Sequence, residues 1–292
     1  MSYFAKPKIK PAETNDNCLP VVKYKGKVTP FISVGREGTR EGELKNPWGV
    51  TVDYKSGNIY VAEQSNDRIQ VFDRGVYLYK FISKRMNSPL GLAISQERLF
   101  VTHYATGCLL VFNLNGELIT QFSLNSKGKT IGHEETEFPS ARGLALNESN
   151  GDLYVCNKSD VRVHIFSSDY LTQSYFGIGI ALPLDIQVTK DCICVLSNRN
   201  PFLHTFDFNF TRIQNLISDS IYGHLKAPNG FYIDGAGNFI ISNFSQDSVT
   251  VVDKDGSVLY KFTKYLKGPI GITLDSNSRI LVVGHNNKLL IF

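Results

Sequence analysis

Apolar and polar residues alternate with a period of two over short runs along most of the chain. Residues 57–72, GNIYVAEQSNDRIQVF, show the unit: a glycine-led turn, a strand-like run, a polar QSND and a second run. The pattern returns without gaps at 151–166, GDLYVCNKSDVRVHIF, and more loosely at 237–252, GNFIISNFSQDSVTVV. Gly57/Gly151, Tyr60/Tyr154, Val61/Val155, Ser65/Ser159, Arg68/Arg162 and Phe72/Phe166 coincide. No window carries a sustained 3.6-residue stripe, which argues against helices.

A Pro or Pro-x-Gly element opens an apolar strand six times: NPWGVTVD (46–53), SPLGLAIS (88–95), PSARGLALN (139–147), LPLDIQVT (182–189), APNGFYID (227–234) and GPIGITLD (268–275). The prolines at 47, 89, 139, 183, 228 and 269 give a period of 41 to 50 residues. Within the first repeat the pattern predicts four strands, GVTVD, IYVAE, RIQVFD and LYKFIS, joined by short polar turns. One such sheet cannot bury both faces, so the repeats must pack against one another. The expected fold is all-β, a six-bladed β-propeller of four-stranded antiparallel blades. A solenoid would need polar caps, and neither end reads as one. The sixth repeat stops at Phe292, aligned with Phe72, Phe112, Phe166 and Phe206, so its outermost strand is missing. TPFISV at 29–34 resembles LYKFIS at 78–83 and LYKFTK at 259–264, so the N-terminal strand is expected to complete blade 6 and close the ring.

Composition refines this picture. The chain has 292 residues and a net charge of +4. Six lysines against Glu13 and Asp16 place that excess in residues 1–27, which read as a basic extended or disordered tail ahead of a propeller at 28–292. The body is neutral, so nucleic-acid binding would have to rest on local asymmetry. No run approaches the roughly 20 apolar residues of a membrane span, and the N-terminus lacks a signal-peptide core; the expected location is cytoplasmic. The five cysteines show no CxxC spacing. Cys192 and Cys194, two apart on a strand, share a face and read as small apolar residues. No metal and no cofactor is expected, no membrane partner, and a monomeric propeller.

The stretch GREGTREGELKNPWGVTVDYKSGNIYVAEQSNDRIQVFD at 35–73 resembles an NHL repeat of the kind that ends tripartite-motif (TRIM-NHL) ubiquitin ligases. The features are the Gly-spaced loop, P-x-G-V-x-V-D, G-N-I-Y-V-A, the acidic Glu63 and N-x-R-I-Q-V-F. The likeness spans 29–292. It is strong in repeats 1 and 3, fair in 5 and 6, and loose in 2 and 4. Repeat 4 departs most: Asp185 replaces the strand-opening Gly, and Phe202 stands where Arg68 and Arg162 do. The resemblance implies a binding face, used by several members for RNA. The sequence holds no RING finger, B-box or coiled-coil heptads, so ligase activity does not carry over.

Propellers bind through loops on their faces. One face carries the inter-blade links and the loops between each blade's second and third strands. Its aligned positions are Glu63-Gln64, His103-Tyr104, Asn157-Lys158, Ser197-Asn198, Asn243-Phe244 and Gly284-His285. The candidate partner- or RNA-binding residues are Lys84, Arg85, Tyr104, Arg142, Lys158, Arg199, Phe202, Phe244, His285 and Lys288. Architectural roles are expected for Arg68 and Arg162, bonding neighbouring loops, for Glu63 and Asn157, holding turn amides, and for a packed Trp48. No catalytic constellation is evident. His103 and His285 lack a third ligand for a catalytic zinc, and no helix follows GREGTREG to cradle phosphate. Two functions remain open: a protein-recruiting platform, including substrate recognition for a TRIM-type ligase, and a reader of single-stranded RNA on the same face. Basic groups with interspersed aromatics suit the latter; the neutral body suits the former.

Overall fold

The structure is a computed structural model that describes residues 29–104, 108–123, 140–168, 173–177, 180–199, 202–215 and 224–292. The basic tail lies outside the described residues. Six four-stranded antiparallel sheets follow one another along the chain. Blade 1 is Pro47–Val52, Asn58–Glu63, Arg68–Asp73 and Val76–Ile82. Blade 2 is Pro89–Ser95, Arg98–His103, Cys108–Asn113 and Leu118–Ser123. Blade 3 is Ala141–Leu146, Leu153–Asn157, Arg162–Phe166 and Gln173–Phe176. Blade 4 is Pro183–Val188, Ile193–Ser197, Leu203–Phe206 and Arg212–Asn215, and blade 5 is Pro228–Ile233, Phe239–Asn243, Ser248–Val252 and Val258–Phe262.

Blade 6 joins both ends of the described chain. Its inner strands, Pro269–Leu274, Ile280–Gly284 and Lys288–Ile291, are completed by Ile32–Val34. Ile32 pairs Ile291, Ser33 pairs Leu290 and Val34 pairs Leu289. The N-terminal strand closes the ring, and it also satisfies the edge of Lys288–Ile291.

The core lies between blades, and strand alternation puts it there. Ile59, Val61 and Phe72 of blade 1 pack on Leu281, Val283 and Leu289 of blade 6. The intervening Tyr60, Ala62, Ile69 and Val71 turn to Leu99, Val101 and Phe112 of blade 2. Side chains alternate across a sheet, so every blade supplies half of two cores. Burying each such side chain is worth about 1.5–3 kcal/mol.

Two devices repeat around the ring. The residue before each innermost strand sits in the left-handed region: Asn46, Ser88, Ser140, Leu182, Ala227 and Gly268, with φ between 49° and 89°. In each blade its carbonyl accepts an N–H from the loop after the second strand, as in Tyr104 N to Ser88 O at 3.1 Å and His285 N to Gly268 O at 3.1 Å. The second device is a close approach. A Cβ at Gly49 would lie 2.1 Å from Leu90 O of blade 2, and one at Gly271 would lie 2.3 Å from Trp48 O of blade 1. The strand-opening glycines therefore let innermost strands approach their neighbours. Register also corrects one expectation. Ala141, not Pro139, takes the opening position of blade 3, because it pairs Asn157 as Pro47 pairs Glu63.

Candidate partner-binding face

The innermost strands surround a central cavity of about 470 Å³. The residue between each opening position and the glycine or its replacement faces the rim on the link side: Trp48, Leu90, Arg142, Leu184, Asn229 and Ile270. Arg142 of blade 3 reaches past blade 2, and its guanidinium lies 5.2 Å from the Trp48 ring centroid. Arg142 is half-buried, and its Nε is buried with no hydrogen-bond partner among the described residues. Burial pulls its pKa below the usual arginine value, against an opposing influence from Tyr104. Ser140 N–H donates to Tyr104 O at 2.9 Å, which places exposed Tyr104 beside the segment that leads into Arg142. At the other end, Tyr54 and Tyr232 hydroxyls meet at 2.8 Å, and Tyr54 donates to Leu274 O. The cavity is thus bridged at both ends by side chains from blades two apart.

The wall between blades 4 and 5 differs from the others. Asp185 occupies the glycine position, and its carboxylate accepts Ile186 N–H and Phe231 N–H, each at 3.0 Å. Asp185 is half-buried and lines the cavity. Burial pushes its pKa up to about 7, while the two N–H groups oppose the rise.

The architectural expectations are met at Arg68, Glu63 and Asn157 but not at Arg162. Arg68 donates to Glu63 at 2.5 Å and to the carbonyls of Thr39, Arg40 and Glu43. Glu63 accepts Lys45 N–H, and Asn157 accepts Ser159 N–H. Arg162 takes a different course, stacking 4.0 Å from the Tyr175 ring centroid on its own outer strand.

Among the candidate binding residues, two groupings form. Arg142 meets Trp48 at the rim, with Tyr104 held close by through Ser140 N–H to Tyr104 O at 2.9 Å, and Phe244 meets His285 edge to face at 4.8 Å across blades 5 and 6. Lys84, Arg85 and Arg199 are exposed, while Lys158 and Lys288 are half-buried on the same face. Phe202 is half-buried and packs against the blade 4–5 core. His103 is fully buried; burial lowers its pKa to about 4. No group of three or more His, Cys, Asp or Glu among the described residues could hold a metal ion. The sequence named Arg142 and Trp48 separately and missed that they meet. Comparing the x of each Pro-x-Gly, where four blades carry Leu, Asn or Ile, would have singled out both.

The NHL repeat family model matches residues 44–72. A 55-residue stretch is 46% identical to "Protein lin-41" of Caenorhabditis elegans, covering 19% of this chain and 4% of that protein. A 49-residue stretch is 57% identical to "E3 ubiquitin-protein ligase TRIM71" of Rattus norvegicus, covering 17% of this chain and 6% of that protein. The matched segments are thus a small part of these curated relatives. Among solved structures, the nidogen/laminin complex superposes with a TM-score of 0.66 at 14% identity, over 80% of this chain and 87% of that one. Virginiamycin B lyase from Staphylococcus aureus superposes with a TM-score of 0.59 at 13% identity, over 82% of this chain and 78% of that one. At such identity the likeness speaks to the propeller fold alone. The chain carries an NHL repeat within a six-bladed propeller and is similar, over that segment, to TRIM-NHL proteins. No helix among the described residues is long and apolar enough to cross a membrane.

Proposed function

We propose that the link-bearing face is a non-catalytic platform that recruits a protein partner, with the cavity rim as its anchor. One observation carries this reading: Arg142 is laid on Trp48 with a buried Nε that has no hydrogen-bond partner among the described residues. A partly desolvated donor gains more from an incoming carbonyl or carboxylate than an exposed lysine does. Arg, Trp and Tyr are also the side chains that dominate binding energy at protein interfaces, and Tyr104 stands exposed beside them. Phe244, His285, Lys84, Arg85, Lys158, Arg199 and Lys288 then form the surrounding rim of the footprint, with Phe202 beneath it. Likeness to a ubiquitin-protein ligase suggests that the recruited protein is a ligase substrate. The ligase chemistry would come from a RING finger that this sequence does not contain.

Exposed Lys84, Arg85 and Arg199 support a second reading, single-stranded RNA held by its phosphates on the same face. The candidate aromatics favour it less, since Trp48, Phe202 and Phe244 are half-buried and only Tyr104 is openly exposed.

The test measures two affinities with the purified chain. For a partner captured by the propeller, Arg142→Gln should weaken binding about tenfold or more, and salt should change it little. RNA binding would instead be saturable with a random pool, fall steeply between two salt concentrations, and be lost in Arg85→Glu/Arg199→Glu. Partner binding indifferent to Arg142→Gln would overturn the anchor.

A further inference from the structure

The hairpin joining the first two strands of blade 4 runs Thr189-Lys190-Asp191-Cys192. At the matching turns Asp53, Asn147, Asp234 and Asp275 cap the turn amides with a carboxylate or amide oxygen. Blade 4 uses a neutral hydroxyl. Thr189 Oγ1 accepts N–H from Asp191 at 3.2 Å and from Cys192 at 3.0 Å, and lies 3.5 Å from Cys192 Sγ. A capping carboxylate in that place would disfavour a thiolate; a hydroxyl does not.

Two residues further along the extended chain, Cys194 projects to the same side as Cys192. The sulfurs lie 3.6 Å apart. Ile193 between them turns to the blade 3–4 core, while both cysteines contact the blade 4–5 core. Cys194 is buried and Cys192 is partly exposed, so a small reagent can approach one sulfur and not the other. The Cys194 thiol is placed to donate to Cys192 Sγ. That hydrogen bond, helped by Thr189, brings the Cys192 pKa down to about 6 against the opposing effects of burial and of the Asp191 carboxylate, and the same contact pushes Cys194 up.

We propose that Cys192 and Cys194 are a redox-active dithiol, with Cys192 as the site attacked by hydroperoxides and Cys194 as the resolving thiol. The Cys192 thiolate attacks the terminal peroxide oxygen. An S–O bond forms and the O–O bond breaks; the departing alkoxide or hydroxide takes a proton from solvent. Cys192 is now a sulfenic acid, its sulfur oxidised by two electrons. Cys194 sulfur then attacks Cys192 sulfur as its proton passes to the leaving hydroxide, which departs as water. The sum is dithiol plus hydroperoxide to disulfide, alcohol or water, and a further water. Closing 3.6 Å to the roughly 2.05 Å of a disulfide draws the backbone in as well. Residues two apart on an extended strand sit roughly 6.6 Å apart, and a disulfide holds its Cβ atoms at about 3.8 Å. Cys192, which precedes the strand Ile193–Ser197 at the hairpin end, must therefore move towards Cys194.

The test uses the intact chain. It is exposed to graded hydrogen peroxide, quenched, denatured, alkylated with N-ethylmaleimide, digested and weighed. The peptide holding both cysteines should lose two hydrogens and take no maleimide, and dithiothreitol should restore two alkylation sites. Peptides holding Cys108 or Cys156 should stay alkylated at the same dose. In Cys194→Ser, Cys192 should be trapped by dimedone as the sulfenic acid, and in Cys192→Ser both products should vanish. Native alkylation of Cys192 by iodoacetamide should level off above about pH 7 and, at neutral pH, run several-fold faster than at Cys108. Two maleimides on the Cys192–Cys194 peptide at a dose that oxidises Cys108 would overturn the proposal. So would Cys192 alkylation still rising tenfold per pH unit at pH 8.

Discussion

Blades 1 and 4 share a four-strand frame but hold different side chains at equivalent positions. In blade 1, Glu63 and Arg68 face each other, both under a tenth exposed. Gln70 bridges Glu63 to the Glu43 carbonyl, and Asn66 adds a further donor to Glu63. This network ties the 39–45 link, just after the ring-closing strand, to the blade it enters. Blade 4 has Ser197 facing Phe202, and Ser197 Oγ donates to Arg199 O at 2.5 Å and accepts Arg199 N–H at 3.4 Å. Phe202 packs against the blade 4–5 core where Arg68 would reach for carbonyls. A close glycine contact at Gly49 becomes a carboxylate bond to Phe231 at Asp185. The repeat signature is thus a set of polar cross-links for the links, and a blade that drops them recovers cohesion by apolar packing. Positions freed in this way are the ones that carry unusual chemistry, as Asp185, Cys192 and Cys194 do.

The sharpest way to break this comparison is to cut the polar cross-link. Glu63→Ala leaves the Arg68 guanidinium buried without its carboxylate, and should cost about 3–5 kcal/mol. Ser197→Ala in the equivalent place of blade 4 removes a neutral hydroxyl and strands no buried charge, so it should cost less, about 1–2 kcal/mol. Chemical denaturation of both variants checks the contrast; equal losses would mean that the two interiors are energetically alike. A smaller effect tests the close approach. Gly49→Ala forces its Cβ against Leu90 O and should lower stability by about 1–3 kcal/mol, with the blade 1–2 spacing widened. Unchanged stability there would show that the innermost strands have slack.

Blade count, strand order and ring closure were all legible in the sequence, because they follow from period-two alternation and a period of 41 to 50 residues. Roles internal to the signature were legible too, as with Arg68, whose five donors need a repeated set of acceptors. The rim was not. Arg142 and Trp48 lie 94 positions apart in sequence and two blades apart in space, and only the ring's curvature brings them together. Cys192 and Cys194 were read as small apolar residues, correctly for their packing. Their mutual distance, and a threonine cap in place of a carboxylate, depend on a turn geometry that spacing alone does not supply. The open positions named from exceptions to the repeat, such as Arg199 and His285, are exposed, yet among the described residues Arg199 bonds only within its own turn.

The smallest effect expected is the net pH slope of the wild-type chain, which two buried groups set against each other. Asp185 titrates near 7 in the folded chain, above its ordinary value of 3.8. The folded state then binds more protons than the unfolded one between about pH 4 and 7, so this contribution to stability is full at low pH and falls as pH rises through that window. His103 titrates near 4, below its ordinary 6.5. Here the unfolded state binds more protons, so its contribution is full above about pH 6.5 and is lost as pH falls towards 4. Over the shared window the slopes oppose, and the wild-type chain should show little net dependence from this pair. Asp185→Asn removes the falling contribution, so stability should rise more steeply with pH than in the wild type; His103→Gln should tilt it the other way. At about 1.4 kcal/mol per pKa unit, each tilt is bounded at about 3–4 kcal/mol across the window and should be smaller where cavity water relaxes the burial. Denaturation midpoints at several pH values between about 4 and 7 read the slopes directly. The sign matters more than the size: if Asp185→Asn and His103→Gln tilt the curve the same way, blade 4's carboxylate does not titrate as a buried group.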